Sequence, residues 1–202
     1  MVLDFCFKHN FKLRVTENIK IYNFLHEATE QALIAKYIHP TDCVLDIGGN
    51  IGASSIIINK LTNKKFLVVE PSPYYVKILK KNKQDHQANF DILEGVLSKP
   101  RDLYLHQISI LTHVNETPTK TKVKTYDFNE LHKKYKFNVV VADCEGSFEQ
   151  IVRDFPNIFD DMRLVMFEKD GECDYTYITN LLIKKHFQIK FYSFHDVWER
   201  KI

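Results

Sequence analysis

The chain has 202 residues, 45% hydrophobic and 27% charged, which suits one domain with a sizeable core. The formal net charge of +2 gives no bulk electrostatic case for nucleic acid. No run reaches the roughly 18 uncharged apolar residues of a membrane span, and Asp4, Lys8, His9 and Lys12 interrupt the stretch where a signal-peptide core would lie. Cys6, Cys43, Cys144 and Cys173 form no C-x-x-C pair, so neither a disulfide framework nor a zinc site is read from them, and a reducing, cytoplasmic compartment is expected.

In chain order, residues 1–28 are mixed and rich in aromatics. Phe5, Phe7, Phe11, Tyr22 and Phe24 are expected in a core or interface rather than stacked on a ligand. Glu27 to Ile38 reads as a helix that Pro40 stops. Strand one is Cys43 to Ile47, followed by a glycine turn and a helix to Leu61. Strand two is Phe66 to Glu70, and a helix covers Tyr74 to Asn82. Strand three is about Phe90 to Val96. From Leu103 to Lys124 the alternation suggests short edge strands, broken by Pro118. A helix is expected over Asp127 to Tyr135, strand four over Phe137 to Asp143, and a helix over Phe148 to Asp154. Strand five is Arg163 to Phe167 and a helix covers Tyr175 to Lys185. Phe187 to Tyr192 and Val197 to Ile202 are read as a terminal antiparallel pair. Alternating strands and helices predict an α/β, doubly wound, mostly parallel sheet with an antiparallel terminal strand. The expectation is a single domain over 1–202, with 1–40 as an N-terminal cap and 41–202 as the catalytic core.

The first turn reads Val-Leu-Asp-Ile-Gly-Gly-Asn-Ile-Gly over residues 44–52. A nicotinamide site requires Gly-x-Gly-x-x-Gly, but Asn50 stands where the second glycine would be. Asp46 would repel a pyrophosphate and suits a ligand carrying an ammonium. Asp-x-Gly-x-x-x-Gly is the pattern of S-adenosylmethionine (SAM) sites. Glu70 closes strand two 18 residues after Gly52, about where an acid accepts the ribose hydroxyls of a nucleoside. The expected cofactor residues are Asp46, Gly48, Gly49, Asn50, Ile51, Gly52, Glu70, Pro71, Ser72, Glu94, Gly95 and Asp143.

Strand four ends in Val-Val-Val-Ala-Asp-Cys-Glu-Gly (139–146) and strand five in Val-Met-Phe-Glu-Lys-Asp (165–170). Ligands of such sheets bind beyond the carboxyl ends of the strands, so Asp143, Glu145, Glu168 and Asp170 should converge. The stretch Asp143-Cys144-Glu145-Gly146-Ser147-Phe148-Glu149, then Ile151-Val152, resembles the characteristic motif of the FkbM-type family of SAM-dependent methyltransferases. Tyr126-Asp127 and Glu168 match two further features of that family, and the resemblance spans roughly residues 40–170. A lysine common two residues before the motif's Asp is Val141 here.

The resemblance implies O-methylation of a sugar hydroxyl, such as one on a deoxyhexose (rhamnose or fucose) within a glycan. A sugar hydroxyl needs a base or a metal to become a nucleophile. The expected catalytic residues are Asp143 as base, with Glu168 and His195 in reserve. Asp143, Glu168 and Asp170 are a candidate Mg²⁺ or Mn²⁺ set, since these ions prefer oxygen ligands. Three plainer readings stand beside these. Glu145 could cap the following helix. His195 could be structural. Lys77, Lys80, Lys81 and Lys83, like Lys133, Lys134 and Lys136, read as solvated helix faces.

Two rival functions are a methyltransferase acting on a phenol or amine, and a SAM-binding interaction module without activity. A nucleic-acid partner is not expected, because the Asn-Pro-Pro-Tyr type of motif is missing after strand four. The expected partner is a small-molecule or glycan acceptor. The oligomeric state, and membership of a longer glycan-building polypeptide, stay open.

Overall fold

The structure, a computed structural model, describes residues 12–22, 27–108, 111–170 and 174–201. The readings of Phe5, Phe7, Phe11, Phe24 and the Tyr22 side chain fall outside what it describes.

The chain opens with a hairpin, β1 (Lys12–Arg14) and β2 (Lys20–Tyr22), and helix α1 (Ala28–Tyr37). Then follow β3 (Val44–Ile47), α2 (Ala53–Leu61), β4 (Phe66–Glu70), α3 (Pro73–Asp85) and β5 (Phe90–Glu94). Five short strands come next: β6 (Val96–Leu97), β7 (Leu103–Ile108), β8 (Leu111–Asn115), β9 (Lys122–Val123) and β10 (Thr125–Tyr126). The last part holds α4 (Phe128–Tyr135), β11 (Val139–Ala142), α5 (Ser147–Asp154), β12 (Leu164–Glu168), α6 (Tyr175–Lys184), β13 (Phe187–Phe191) and β14 (His195–Arg200).

Seven strands form the central sheet in the order β13-β14-β12-β11-β3-β4-β5. The five strands from β12 to β5 are parallel to their neighbours, and β14 runs antiparallel to both β12 and β13. This is the doubly wound α/β sheet expected from the sequence. The apolar runs that predicted its inner strands are buried throughout, as strands covered on both faces require. Alternate residues divide between two cores. Val44, Val68, Val139 and Val141 pack with Ile34 of α1, Ile57 of α2 and Leu79 of α3. Leu45, Val69, Val140 and Val165 pack with Phe128 of α4, Ile151 of α5 and Leu182 of α6. Burial of this kind contributes roughly 25 cal/mol per Å² of apolar surface.

At the amino end of the sheet, the buried Asp42 carboxylate accepts from the His39 N–H (2.6 Å), Asn138 Nδ2 (3.0 Å) and Arg163 Nε (2.7 Å). Asn138 in turn accepts from the Cys43 N–H at 2.8 Å. One carboxylate therefore ties the starts of β3, β11 and β12 together and leaves their far ends for function.

Two expectations are corrected. Residues 103–124 do not extend an edge of the main sheet. Strands β7, β8 and β9 form a separate three-stranded antiparallel sheet, ordered β8-β7-β9. The last strand starts at His195 rather than Val197, because Glu168 at the end of β12 pairs with His195 in register. Among the described residues no helix is long and apolar enough to cross a membrane.

Candidate functional site

The carboxyl ends of β3, β4 and β11 face a cleft, and the β7–β8 hairpin closes over it through Thr112 and Val114. Asn50 and Gly48 of the glycine turn line the cleft, with Glu70, Pro71, Gly95 and Asp143. It has a volume of about 90 Å³. A larger cavity of about 450 Å³ adjoins it and shares Val96, Leu97, Val114, Glu145, Ser147 and Ile151 as a common wall. Ligand pockets commonly span about 300–1,000 Å³, so only the larger chamber takes a small molecule whole as the structure stands.

The glycine turn is shaped by protein contacts as much as by ligand access. Gly48 has φ +89° and Gly52 φ +97°, a region that side chains other than glycine rarely adopt. A Cβ on Gly48 would overlap the Asp143 carbonyl, and one on Gly49 would overlap a Val68 methyl. A Cβ on Gly52 would stand 2.6 Å from Leu79 Cδ1. The bare turn lets β3 and β11 pack and lets α2 begin against α3.

Glu70 is 4% exposed. One carboxylate oxygen accepts from the Asn50 N–H and the other from the Ser72 N–H, both at 2.8 Å. Burial pushes its pKa up to about 7 against the pull of these two bonds. Each oxygen keeps a free lone pair, so the carboxylate can hold the turn and still receive two hydroxyls.

Asp46 lies elsewhere than its expected role requires. Its carboxylate accepts from Ser55 Oγ at 2.5 Å and from Ser54 Oγ at 3.2 Å, and the residue is 2% exposed. Burial raises its pKa to about 6, opposed by the two serine hydroxyls. It anchors the start of α2 behind Ser54 and lines none of the cavities described here. Two other expected cofactor residues also turn elsewhere. Ser72 caps α3, and Glu94 is half exposed with Lys80 3.9 Å away. Ile51 packs in a small apolar cluster with Tyr75 and Ile78 and lines a small cavity beneath the turn.

Asp143 lines the cleft and shares a hydrogen bond with Glu168. Burial, then the bond and charge of Glu168, raise the Asp143 pKa to about 10. Asp143 thus keeps its proton at neutral pH and shares it in the hydrogen bond to Glu168. His195 stands beside Glu168 in the β12–β14 register, and burial lowers its pKa, opposed by the charge of Glu168. The three expected catalytic residues are neighbours, but only Asp143 reaches the cleft; Glu168 and His195 stand behind it.

The metal set suggested by the sequence does not assemble. The Asp170 carboxylate accepts the Gly146 N–H, and its own N–H donates to the Tyr175 hydroxyl at 2.9 Å. It fastens the loop after β12 to the turn before α5. Among the described residues, the three carboxylates that gather within 4.8 Å of one another are those of Glu27, Glu30 and Asp143.

Several residues at the site carried no functional signal in the sequence. Glu27 and Glu30 read only as part of a helix. His113 of β8 lines the large cavity and lowers the pKa of Glu145, which burial raises. Glu145 itself does not cap α5, whose N-cap is Gly146 and which has no side-chain cap; it stands in the wall shared by the two cavities. Thr112 Oγ1 is buried without a hydrogen-bond partner and its residue lines the cleft. Alternating apolar residues in β7 and β8 signalled strands, but nothing local signalled that the strands roof a site.

No family model matches the sequence, and a search of curated proteins returns no match. Solved structures do resemble the chain. Precorrin-6y C5,15-methyltransferase from Geobacter metallireducens is similar with a TM-score of 0.59 at 12% identity, over 94% of this chain and 100% of that one. An rRNA methylase from Streptococcus thermophilus gives 0.56 at 10% identity, over 87% and 96%. An RNA methyltransferase from Salinibacter ruber in complex with S-adenosyl-L-homocysteine gives 0.51 at 14% identity, over 87% and 90%. At such identities the likeness is one of fold: the chain has the Rossmann-like fold of these methyltransferases.

Proposed function

We propose that the protein is a SAM-dependent O-methyltransferase acting on a sugar hydroxyl, with a deoxyhexose of a glycan as the favoured acceptor. One observation carries the reading: a narrow cleft at the glycine turn, lined by both Glu70 and Asp143, adjoins a larger chamber across a shared wall that includes Glu145. The neighbours named above, one of them with S-adenosylhomocysteine, support the cofactor. The FkbM resemblance supports the acceptor.

The residues present fit SAM. Glu70 offers two lone pairs to a ribose, and the nearby acids suit a cationic ligand. When bound, SAM supplies an electrophilic methyl for in-line displacement, and positioning does much of the catalysis. This chain's own part is to hold the acceptor hydroxyl near Asp143 and receive its proton. Asp143 receives that proton in its ionised form, which burial and Glu168 disfavour and which a cationic sulfonium beside it favours.

The chamber suits a polyhydroxylated acceptor. It offers His106, His113, Asn115, Glu145 and Gln150 as polar partners, with Leu103 and Val114 as apolar surface. The cation Arg101 is engaged by Asp154 of α5. An RNA acceptor, the class named for two of the neighbours, would bring phosphates toward Glu116 and Glu145. The test is transfer of isotopically labelled methyl from SAM to a panel of monosaccharides, oligosaccharides, phenols, amines and short RNAs. Label on a sugar hydroxyl is expected. Label confined to a phenol, an amine or RNA overturns the acceptor, and absence of SAM binding overturns the whole reading.

A further inference from the structure

Beneath the glycine turn lies another cavity of about 10 Å³, room for about one water-sized group. Glu27 and Glu30 face it from the start of α1, and Asp143 faces it from the end of β11. Glu30 is 4% exposed, and no donor among the described residues reaches its carboxylate. Burial, then the charges of Glu27 and Asp143, raise its pKa well above the usual carboxylate range. A buried carboxylate without a partner is costly, and a cation entering the cavity removes that cost. Ser54 lines the same cavity and stands between it and Asp46. Glu27, Gly48, Asn50 and Asp143 line both this cavity and the cleft, so a ligand in the cleft can extend one small cationic end into it.

We propose, resting on the methyltransferase reading, that this cavity holds the ammonium group of the cofactor's amino-acid end, with Glu30 as its buried counter-charge. A primary ammonium has three donors, and three carboxylates surround the cavity. Magnesium usually keeps several waters, for which there is no room. The role that the sequence gives to Asp46 thus passes to a residue of α1, a helix outside the glycine-turn motif.

The test compares two ligands by calorimetric titration. S-adenosylhomocysteine carries the amino-acid end; 5′-methylthioadenosine shares the nucleoside but lacks it. Glu30→Gln is expected to weaken S-adenosylhomocysteine at least tenfold and to leave 5′-methylthioadenosine within twofold. The second ligand also reports that the variant is folded. Unchanged affinity for S-adenosylhomocysteine, or an equal loss for both ligands, overturns the assignment. So does saturable binding of Mg²⁺ or Mn²⁺ to the chelator-treated parent that Glu30→Gln abolishes, which would make the cavity a metal site. A parent that binds neither nucleoside overturns the methyltransferase reading itself, whereas a parent that binds both while Glu30→Gln changes nothing removes this inference alone.

Discussion

In the proposed reaction two side chains carry the chemistry, and each also has a partner within the fold that shapes its mutants. Glu70 holds the Asn50 and Ser72 N–H groups, so Glu70→Ala strips two donors of their acceptor. A buried donor left unsatisfied costs about 1–3 kcal/mol. The variant should lose at least tenfold in SAM affinity and also melt several degrees lower, as titration and thermal unfolding would reveal. Full affinity would exclude Glu70 as the ribose ligand. Asp143→Asn should cut methyl transfer by at least a hundredfold, the low end of what a positioned base supplies, with SAM affinity within a few fold. The raised Asp143 pKa adds a direction. Asp143 acts as base only once ionised, so parent activity should climb as pH rises above neutral, and the residual activity of Asp143→Asn should not. Near-parent turnover by that variant would move the base elsewhere.

At the level of elements, much was legible because local chemistry and tertiary context agree. Asp127 was read as a helix start, and its carboxylate accepts from the Asn129 N–H (2.7 Å) and the Glu130 N–H (3.2 Å) at the head of α4. Removing such a cap costs about 1 kcal/mol. Asp127→Ala should therefore lower the melting temperature by about 2–4 °C while leaving SAM affinity unchanged; a large loss of affinity would mean that α4 positions the cleft. The buried runs of β3, β4 and β11 were equally plain, since a strand covered on both faces must be apolar throughout. The short strands after β6 were less so. Their alternation signalled strands, but the choice between the sheet edge and the roof of the cleft depends on residues far along the chain, such as Gln150 and Ile151 of α5, which line the same cavity as Leu103 and Val114. Glu30 was illegible for the same reason. An acid in the first turn of a helix is ordinary, and only the approach of Asp143 from residue 143 makes it unusual.

At the scale of the whole molecule, the buried acids Asp42, Asp46 and Glu70 act on stability in opposite directions. Asp42 is buried, but Arg163, the His39 N–H and Asn138 outweigh that burial and lower its pKa. Its contribution is present above the ordinary Asp range and is lost as pH falls through its depressed value. Asp46 and Glu70 are raised to about 6 and about 7. Each keeps its proton in the folded chain at a pH where the unfolded chain has released it, so each makes stability fall as pH rises from about 4 to about 7. The ligand-free protein should therefore melt several degrees higher near pH 5 than near pH 8, and saturating SAM should reduce that difference. Scanning calorimetry across this range checks it. A melting temperature that rises toward pH 8 would mean that the acids are not held as the fold places them.

The roof of the site is a detour with a closed base. The chain leaves β6 at Leu97 and returns through β10 at Thr125, and those two strands pair in parallel. Asp154 of α5 clamps the departure point by accepting from Ser98 Oγ and the Lys99 N–H, both at 3.1 Å. The glycine turn, Glu70 and Asp143 all lie outside this detour. On the proposed reading, His106, His113 and Asn115 of the acceptor chamber lie on this one continuous detour, so they can change together while the floor and the Glu145–Ile151 wall stay untouched. The same separation gives an engineer a single segment to randomise when seeking a new acceptor.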